Sequence, residues 1–557
     1  MSLVPAASDE PAATVRPRRR RMPLWARLTL VLALILALPI GSVLLTAITP
    51  AGDVWRHIAS TFLPVMLGNT LALALSVALL AGSAGAVTAW LVTTCRFPGR
   101  GLLEVALLLP LAMPAYVSGY AWTWLMDVAG PVQTTLRDVT GLRFGEYWFP
   151  QMRTLEGAAL VISMVLYPYV YLLCRAAFLA QSTCLVEVSR TLGHSLGRVF
   201  WRVGLPLARP ALAGGVALVL METFADFGTV QYFGIDTFTT GIYQAWFGMG
   251  DRGAASQLAA VLLLCVGLLL ALEHVSRGGR RFHPMTSRQP PFRPVPLKGV
   301  KRWLALLACL GPLTLGFLIP AGTLLALMLE AGDPLAAHRF LPFLTNSLIL
   351  SGVTATLAVV LAAWLAWAAR LHPGGGQRLV NRVVGLGYAV PGSVIAVGVL
   401  VPFGLFDNAL DAWMRASFGV STGLLLSGTI VALVFAYLVR FLGVALQSVE
   451  SGLTRLKPSF HSAARSLGAS PGEAVRRVEL PLSRGALLTA AILVFVDTMK
   501  ELPATLIVRP FDFDTLAVRV YNLAADERLA EASTSALIIV LAGLLPVVAL
   551  TQAMKRR

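Results

Sequence analysis

Charge is scarce in this sequence. Of its 557 residues only 13% are Asp, Glu, Lys or Arg, against about 25% in an ordinary soluble chain. So few charged groups cannot dress a water-facing surface of this size. Cysteine is rarer still. The five cysteines (Cys95, Cys174, Cys184, Cys265 and Cys309) lie in or beside apolar runs, and none forms a CxxC pair. That pattern implies neither a disulfide framework nor a zinc site, and no metal-ligating set is assigned. The phosphate loop GxxxxGK[ST] is missing, so ATP is not bound and hydrolysed in the usual way by this chain. Acidic residues are outnumbered, 28 against 45 Lys and Arg, giving a net charge of +17. A nucleic-acid surface would gather that excess on one face. Here it is scattered through short loops between apolar runs, which excludes nucleic acid as the expected partner and matches the positive-inside pattern.

What the chain has is apolar length. Apolar residues make up 57% of it. A spanning helix needs roughly 20 of them in succession, and hydrocarbon offers backbone groups no partner outside a helix. Expected spans are 26–48, 69–94, 102–125, 156–180, 210–232 and 254–274, then 303–328, 346–369, 383–405, 422–446, 485–508 and 533–553. The fold class is therefore all-α: a polytopic membrane protein of about twelve helices. Residues 1–23 are polar and hold the run Arg18 to Arg21. The apolar run that follows, Leu24 to Ile48, is too long for a signal-peptide core and is expected to be a retained helix with a cytoplasmic start. With the N-terminus inside, most Lys and Arg fall in cytoplasmic segments, and the chain also ends inside at Lys555-Arg556-Arg557.

The chain repeats itself. Asn69-Thr70-Leu71 matches Asn346-Ser347-Leu348, and Pro114-Ala115-Tyr116-Val117 matches Pro391-Gly392-Ser393-Val394, both at an offset of 277. Thr191-Leu192-Gly193 matches Ser466-Leu467-Gly468, and Leu205-Pro206-Leu207 matches Leu480-Pro481-Leu482, both at an offset of 275. Polar, Gly and Pro landmarks do not line up this way by chance among apolar helices. Six helices per copy give both copies the same orientation, so the repeats are parallel. The expected organisation is a basic cytoplasmic tail (1–25), a first repeat (26–276), a proline-rich cytoplasmic linker (277–302) and a second repeat (303–557).

Each copy carries one long cytoplasmic loop, and the two loops match. They read EVSRTLGHSLGRVFWRVGLPLARPAL from Glu187 and SAARSLGASPGEAVRRVELPLSRGAL from Ser462. Gly193 and Gly468 permit a sharp turn after a short amphipathic helix. Pro206 and Pro481 can open the next helix, where a missing N–H is harmless. This doubled pattern resembles the coupling motif of ATP-binding-cassette importer permeases. The family form is Glu-Ala-Ala, three residues, Gly, then about nine residues before Ile-x-Leu-Pro. The first copy keeps Glu187, Gly193, Leu205 and Pro206. The second keeps Ala463, Ala464, Gly468, Leu480 and Pro481, with Ser462 in place of Glu. The resemblance implies that these loops dock on a separate ATPase subunit, present in two copies, which uses the ATP. It also implies a soluble substrate-binding protein outside and a bacterial inner-membrane location.

Charges inside spans are rare and usually functional. METFADFGTV, from Met221, and VDTMKELPAT, from Val496, each carry two carboxylates. Glu222 aligns with Asp497 and Asp226 with Glu501, each pair spaced i, i+4 and so expected on one helical face. The carboxylates could line a cation path, form a gate, or serve structure by pairing with Lys500 or with backbone freed near Pro503. Asp512, Asp514, Asp526, Glu527 and Glu531 flank the last two spans outside. The stretch from Lys500 to Ser533, together with the fused two-copy organisation, is similar to ferric iron importer permeases. Thiamine, polyamine and phosphonate permeases are related alternatives. A secondary transporter is another, but it often uses inverted repeats. The resemblance implies transport by alternating access, with no chemistry on the cargo.

Overall fold

The computed structural model describes residues 24–48, 52–181, 183–277, 294–331, 336–371, 375–454 and 456–555. Residues 1–23 of the basic tail, the linker segment 278–293 and Arg556-Arg557 lie outside the described residues, as does the side chain of Cys184. Among the described residues the fold is helical, with one two-residue parallel pairing of Cys95–Arg96 with Val295–Pro296. Ten helices among the described residues are long and apolar enough to cross a membrane. Two bent helix pairs raise the number to twelve, the count expected from composition.

The bends are where simple hydropathy fails. The expected span 102–125 is interrupted. Arg100–Ala106 leads through a 3-10 turn, Leu109–Ala112, into Ala115–Met126, and Arg100–Ala112 stands at 93° to Ala115–Thr140. Pro114 caps the second arm with extended backbone. Its repeat mate Pro391 does the same for Gly392–Phe418, after the 3-10 turn Gly387–Ala389. A proline lacks the N–H that would continue the preceding turn, so both are natural restart points. The landmark asparagines are explained as well. Asn69 donates its amide to the carbonyl of Asp236 (3.0 Å), and Asn346 donates to that of Asp514 (3.1 Å). In each copy the long second helix thereby holds the loop that follows the broken fifth span.

Each repeat lends its first helix to the other. Leu24–Ala47 packs on Arg252–Arg277 of its own repeat and on Gly375–Leu386 and Gly392–Phe418 of the second. Val300–Leu313 and Ile319–Ala331 pack on Leu529–Lys555 of their own repeat and on Arg100–Ala106 and Ala115–Met126 of the first. Small residues let the backbones approach. A Cβ added at Gly398 would lie 2.3 Å from the carbonyl oxygen of Pro39, and one added at Gly316 would lie 2.0 Å from that of Met164. Consequently each repeat core includes a helix from the other. A third cluster at the junction joins Tyr116, Tyr120 and Phe227 to Leu324, Leu502 and Leu516. The outer faces show large apolar side chains such as Leu45, Leu264 and Leu329, which suits a lipid solvent.

Candidate translocation site and coupling loops

The fifth span of each copy breaks before its C-terminal end. Leu205–Ala225 stops before Asp226, and a five-residue helix restarts at Gly228. Arg484–Met499 stops before Lys500, and Pro503–Val508 follows. This corrects two expectations, the continuous helices 210–232 and 485–508 and the shared i, i+4 face. Asp226 and Glu501 lie past the helix ends. Their placement has a local cause. Restarting a helix frees backbone N–H groups that need acceptors. The Asp226 carboxylate accepts from the N–H groups of Thr229 (3.0 Å) and Val230 (3.2 Å) and from the Thr229 hydroxyl (2.8 Å). Glu501 accepts from the N–H groups of Ala504 (3.0 Å) and Thr505 (3.1 Å) and from the Thr505 hydroxyl (2.8 Å). Glu501 also pairs with Arg440 at 3.2 Å and is 5% exposed. The two breaks touch, since a Cβ added at Gly228 would lie 2.8 Å from Leu502.

The breaks open onto one cavity of about 110 Å³ shared by both repeats. Glu222, Asp226, Asp497, Lys500 and Glu501 all line it, so every intramembrane charge singled out in the sequence converges there. Lys500 pairs with Asp497 at 2.9 Å. Its aligned residue in the first repeat is Ala225, which brings no charge. Glu222 instead accepts a hydrogen bond from Tyr388 of the second repeat, at 2.6 Å. Tyr116, Tyr169 and Arg440 complete the polar wall. Sequence inspection missed these four. Tyrosine inside an apolar run carries no signal of its own, and Arg440 sits in FAYLVRFLG with no charged neighbour to draw attention. Among the described residues no group of three or more His, Cys, Asp or Glu is placed to hold a metal ion. Of the acids that flank the last two spans, Asp514 pairs with Arg509, Glu527 with Arg153 and Glu531 with Arg528.

At the other end lie the two matched loops. Thr183–Thr191 and Pro458–Ser466 are short helices, each ended by glycine in the left-handed region (Gly193 φ 83°, Gly468 φ 89°). Ser195 and Ser470 then cap Leu196–Val199 and Pro471–Ala474 by accepting from the N–H groups of Arg198 and Glu473. Glu187 and Ala463 are exposed, while Ala464 is buried. Leu192 and Leu467 stand out at the tips, 71% and 88% exposed. Leu205 and Pro206 continue without a gap from the π-turn Phe200–Gly204, so Pro206 falls inside a helical run from Leu196 to Ala225. Leu480 and Pro481 lie in the short helix Leu480–Leu482, which bends by 71° into Arg484–Met499.

A profile described as the inner membrane component of binding-protein-dependent transport systems matches residues 28–277 and again 358–557. The chain belongs to that family. The two matched stretches fall one on each repeat, so this is a fused, two-copy permease. It is 30% identical to the Fe(3+)-transport system permease protein FbpB 2 of Haemophilus influenzae, over 95% of this chain and 98% of the relative. It is 23% identical to the ferric transport system permease protein FbpB of Actinobacillus pleuropneumoniae, over 75% of this chain and 61% of the relative. The molybdenum transport system permease protein ModB of Escherichia coli is 30% identical over 35% of this chain and 86% of its own length. Family membership makes this a polytopic inner-membrane transport component whose relatives are permeases.

Proposed function

We propose that this chain forms the whole membrane pore of a ferric iron importer and moves its cargo inward by alternating access. The observation that carries the proposal is the cavity. It is lined by groups from both repeats, so movement of one repeat against the other changes its access from either side. Its wall holds four carboxylates (Glu222, Asp226, Asp497 and Glu501) against two cations (Arg440 and Lys500). An acid excess of two, with phenol and carboxylate oxygens as hard donors, suits a small cation better than an oxyanion such as molybdate. Ferric iron as cargo is supported by the relative that matches nearly end to end.

Both termini face the cytoplasm in this scheme. Two ATPase subunits dock on the loops around Gly193 and Gly468, contacting Glu187, Ala463 and the exposed leucines. They hydrolyse the ATP. A soluble binding protein delivers cargo outside, and no covalent chemistry is done on it. Leu205 and Pro206 lie within, and Leu480 and Pro481 just before, the helices that carry loop movement to the cavity. Asp226 and Glu501 keep the helix breaks capped. Glu222 and Asp497 meet the passing cation, with Lys500 neutralising Asp497 between cycles.

The test is uptake of radioactive ferric iron by vesicles holding the chain, its ATPase and its binding protein. Glu222→Gln and Asp497→Asn are expected to cut uptake while insertion and ATPase binding persist. Lys500→Met is expected to lower stability, with Asp497→Asn restoring much of it through coupling of about 0.5–3 kcal/mol. Full uptake with both Glu222 and Asp497 neutralised would remove them from the path. Uptake of molybdate in place of iron would overturn the cargo.

A further inference from the structure

The second coupling loop is held by a buried carboxylate with no part in the cavity or in docking. Glu479 ends the π-turn Val475–Glu479, and its side chain is 1% exposed. Trp367 donates its ring N–H to Glu479 Oε2 at 2.7 Å. His461 Nδ1 lies 3.1 Å from Oε1, and Arg370 Nε lies 3.4 Å from the same oxygen. Arg370 in turn donates to the carbonyls of Leu453 (2.7 Å) and Leu456 (3.1 Å). One carboxylate thus joins the coupling helix Pro458–Ser466, the membrane helix Ala336–Leu371, the end of Ile430–Thr454 and the π-turn itself. Just beyond it the chain bends by 71°. Ser483, at the bend, donates its hydroxyl back to the Glu479 carbonyl at 2.8 Å. Past the bend, Arg484–Met499 runs up to Asp497 on the cavity wall.

The first repeat has none of this. Gly204, Trp90, Thr93 and Val186 occupy the aligned positions. There Leu196–Ala225 is one 30-residue run, so no sharp bend separates the loop from the cavity. A bent connection loses displacement at the bend unless its cytoplasmic arm is clamped. A buried charge is a poor source of stability, since desolvation offsets the Coulomb gain, but it fixes geometry through several directed bonds.

We propose that Glu479 is a positioning residue for coupling. It clamps the second coupling helix to Ala336–Leu371, so that ATPase movement passes through the bend at Ser483 to Asp497 instead of dissipating there. The proposal rests on the assignment of the two loops as ATPase docking sites.

The experiment uses the full transporter in lipid vesicles, with Glu479→Ala, Glu479→Gln and Gly468→Pro compared. Glu479→Ala should keep the ATPase subunit bound and hydrolysing. Iron moved per ATP should fall on the order of tenfold, the size of a usual coupling free energy between sites. Glu479→Gln should fall less, because its amide oxygen can still accept from Trp367. Spin labels at Ser466 and Ala369 should show a narrow distance distribution in the parent and a broad one in Glu479→Ala. An unchanged ratio and distribution in Glu479→Ala, beside an uncoupled Gly468→Pro, overturns the clamp and leaves the docking assignment standing. Normal transport in both Glu479→Ala and Gly468→Pro overturns the docking assignment and the clamp with it. Loss of ATPase binding and thermal stability together, with a normal ratio in the surviving fraction, reduces Glu479 to a folding role and also overturns the clamp.

Discussion

In the first repeat the glycine at position 204 lies against the ring of Trp90, so closely that an added Cβ would sit 2.6 Å from it. In the second, the aligned pair is Glu479 and Trp367, joined by a hydrogen bond. Around Trp90 the packing is aromatic, with Phe178 at 5.2 Å and Phe200 at 5.4 Å between ring centroids. Trp367 also sits in an apolar cluster, but its ring N–H meets the buried Glu479 carboxylate, which Arg370 and His461 hold. Two copies of one architecture therefore solve the same mechanical task with different forces. Hydrophobic packing is short-ranged and non-directional, so it serves an unbroken helical run that only has to stay in place. Hydrogen bonds to a charge are directional, so they serve a bend that must keep its angle.

This contrast can be broken most sharply at the tryptophans. Trp90→Ala should destabilise the chain by about 3–5 kcal/mol, the usual cost of emptying such a site. Trp367→Ala should cost more, because it also deprives the buried Glu479 of a donor. Thermal unfolding of the purified chain measures both, and a larger loss at Trp90 would contradict the assignment of forces. A smaller effect is expected at Gly204. Gly204→Ala presses a methyl group into the Trp90 ring, an overpacking cost of about 1–3 kcal/mol. Glu479 already fills the equivalent space, so no second-repeat substitution by Ala can overpack in that way. The smallest effect on stability belongs to the loop tips. Leu192→Ser and Leu467→Ser should change it by no more than about 0.5 kcal/mol, since both side chains are exposed. Retention of the ATPase subunit on a column should nonetheless drop for each. Retention unchanged in one variant alone would make docking as asymmetric as the anchors behind it.

Much of this architecture can be read from residues. The doubled Asn, Pro and Gly landmarks mark places where backbone must be held, restarted or turned, and the structure uses the Asn pair, Pro114 with Pro391, and the Gly pair in that way, whereas Pro206 falls inside a helical run. The convergence of the five intramembrane charges follows from parallel repeats meeting at one axis. The helix break at Asp226 was harder to see. ADFGTV contains no proline, and a carboxylate in an apolar run draws attention as a functional charge before it is considered as a cap. Glu479 was hidden for the opposite reason. In GEAVRRVELPL it looks like one more solvated charge of a basic loop. Its burial depends on Trp367 and Arg370, over a hundred positions away, and no local period encodes that. The exchange of first helices was equally hidden, because an apolar face does not name its partner.

That exchange sets an order of events during synthesis. Leu24–Ala47 leaves the ribosome long before Gly392–Phe418, its partner in the other repeat, exists. At roughly 5–20 residues per second the interval between them is on the order of half a minute. Throughout it the first helix has one face against lipid alone, and the first repeat is a half-built module. Val300–Leu313 and Ile319–Ala331 emerge with their first-repeat partners, Arg100–Ala106 and Ala115–Met126, already made. A fused chain keeps the waiting helix tethered near the only surface that completes it. Two separate halves would each have to find that surface by lateral diffusion, at the mercy of their copy number in the membrane.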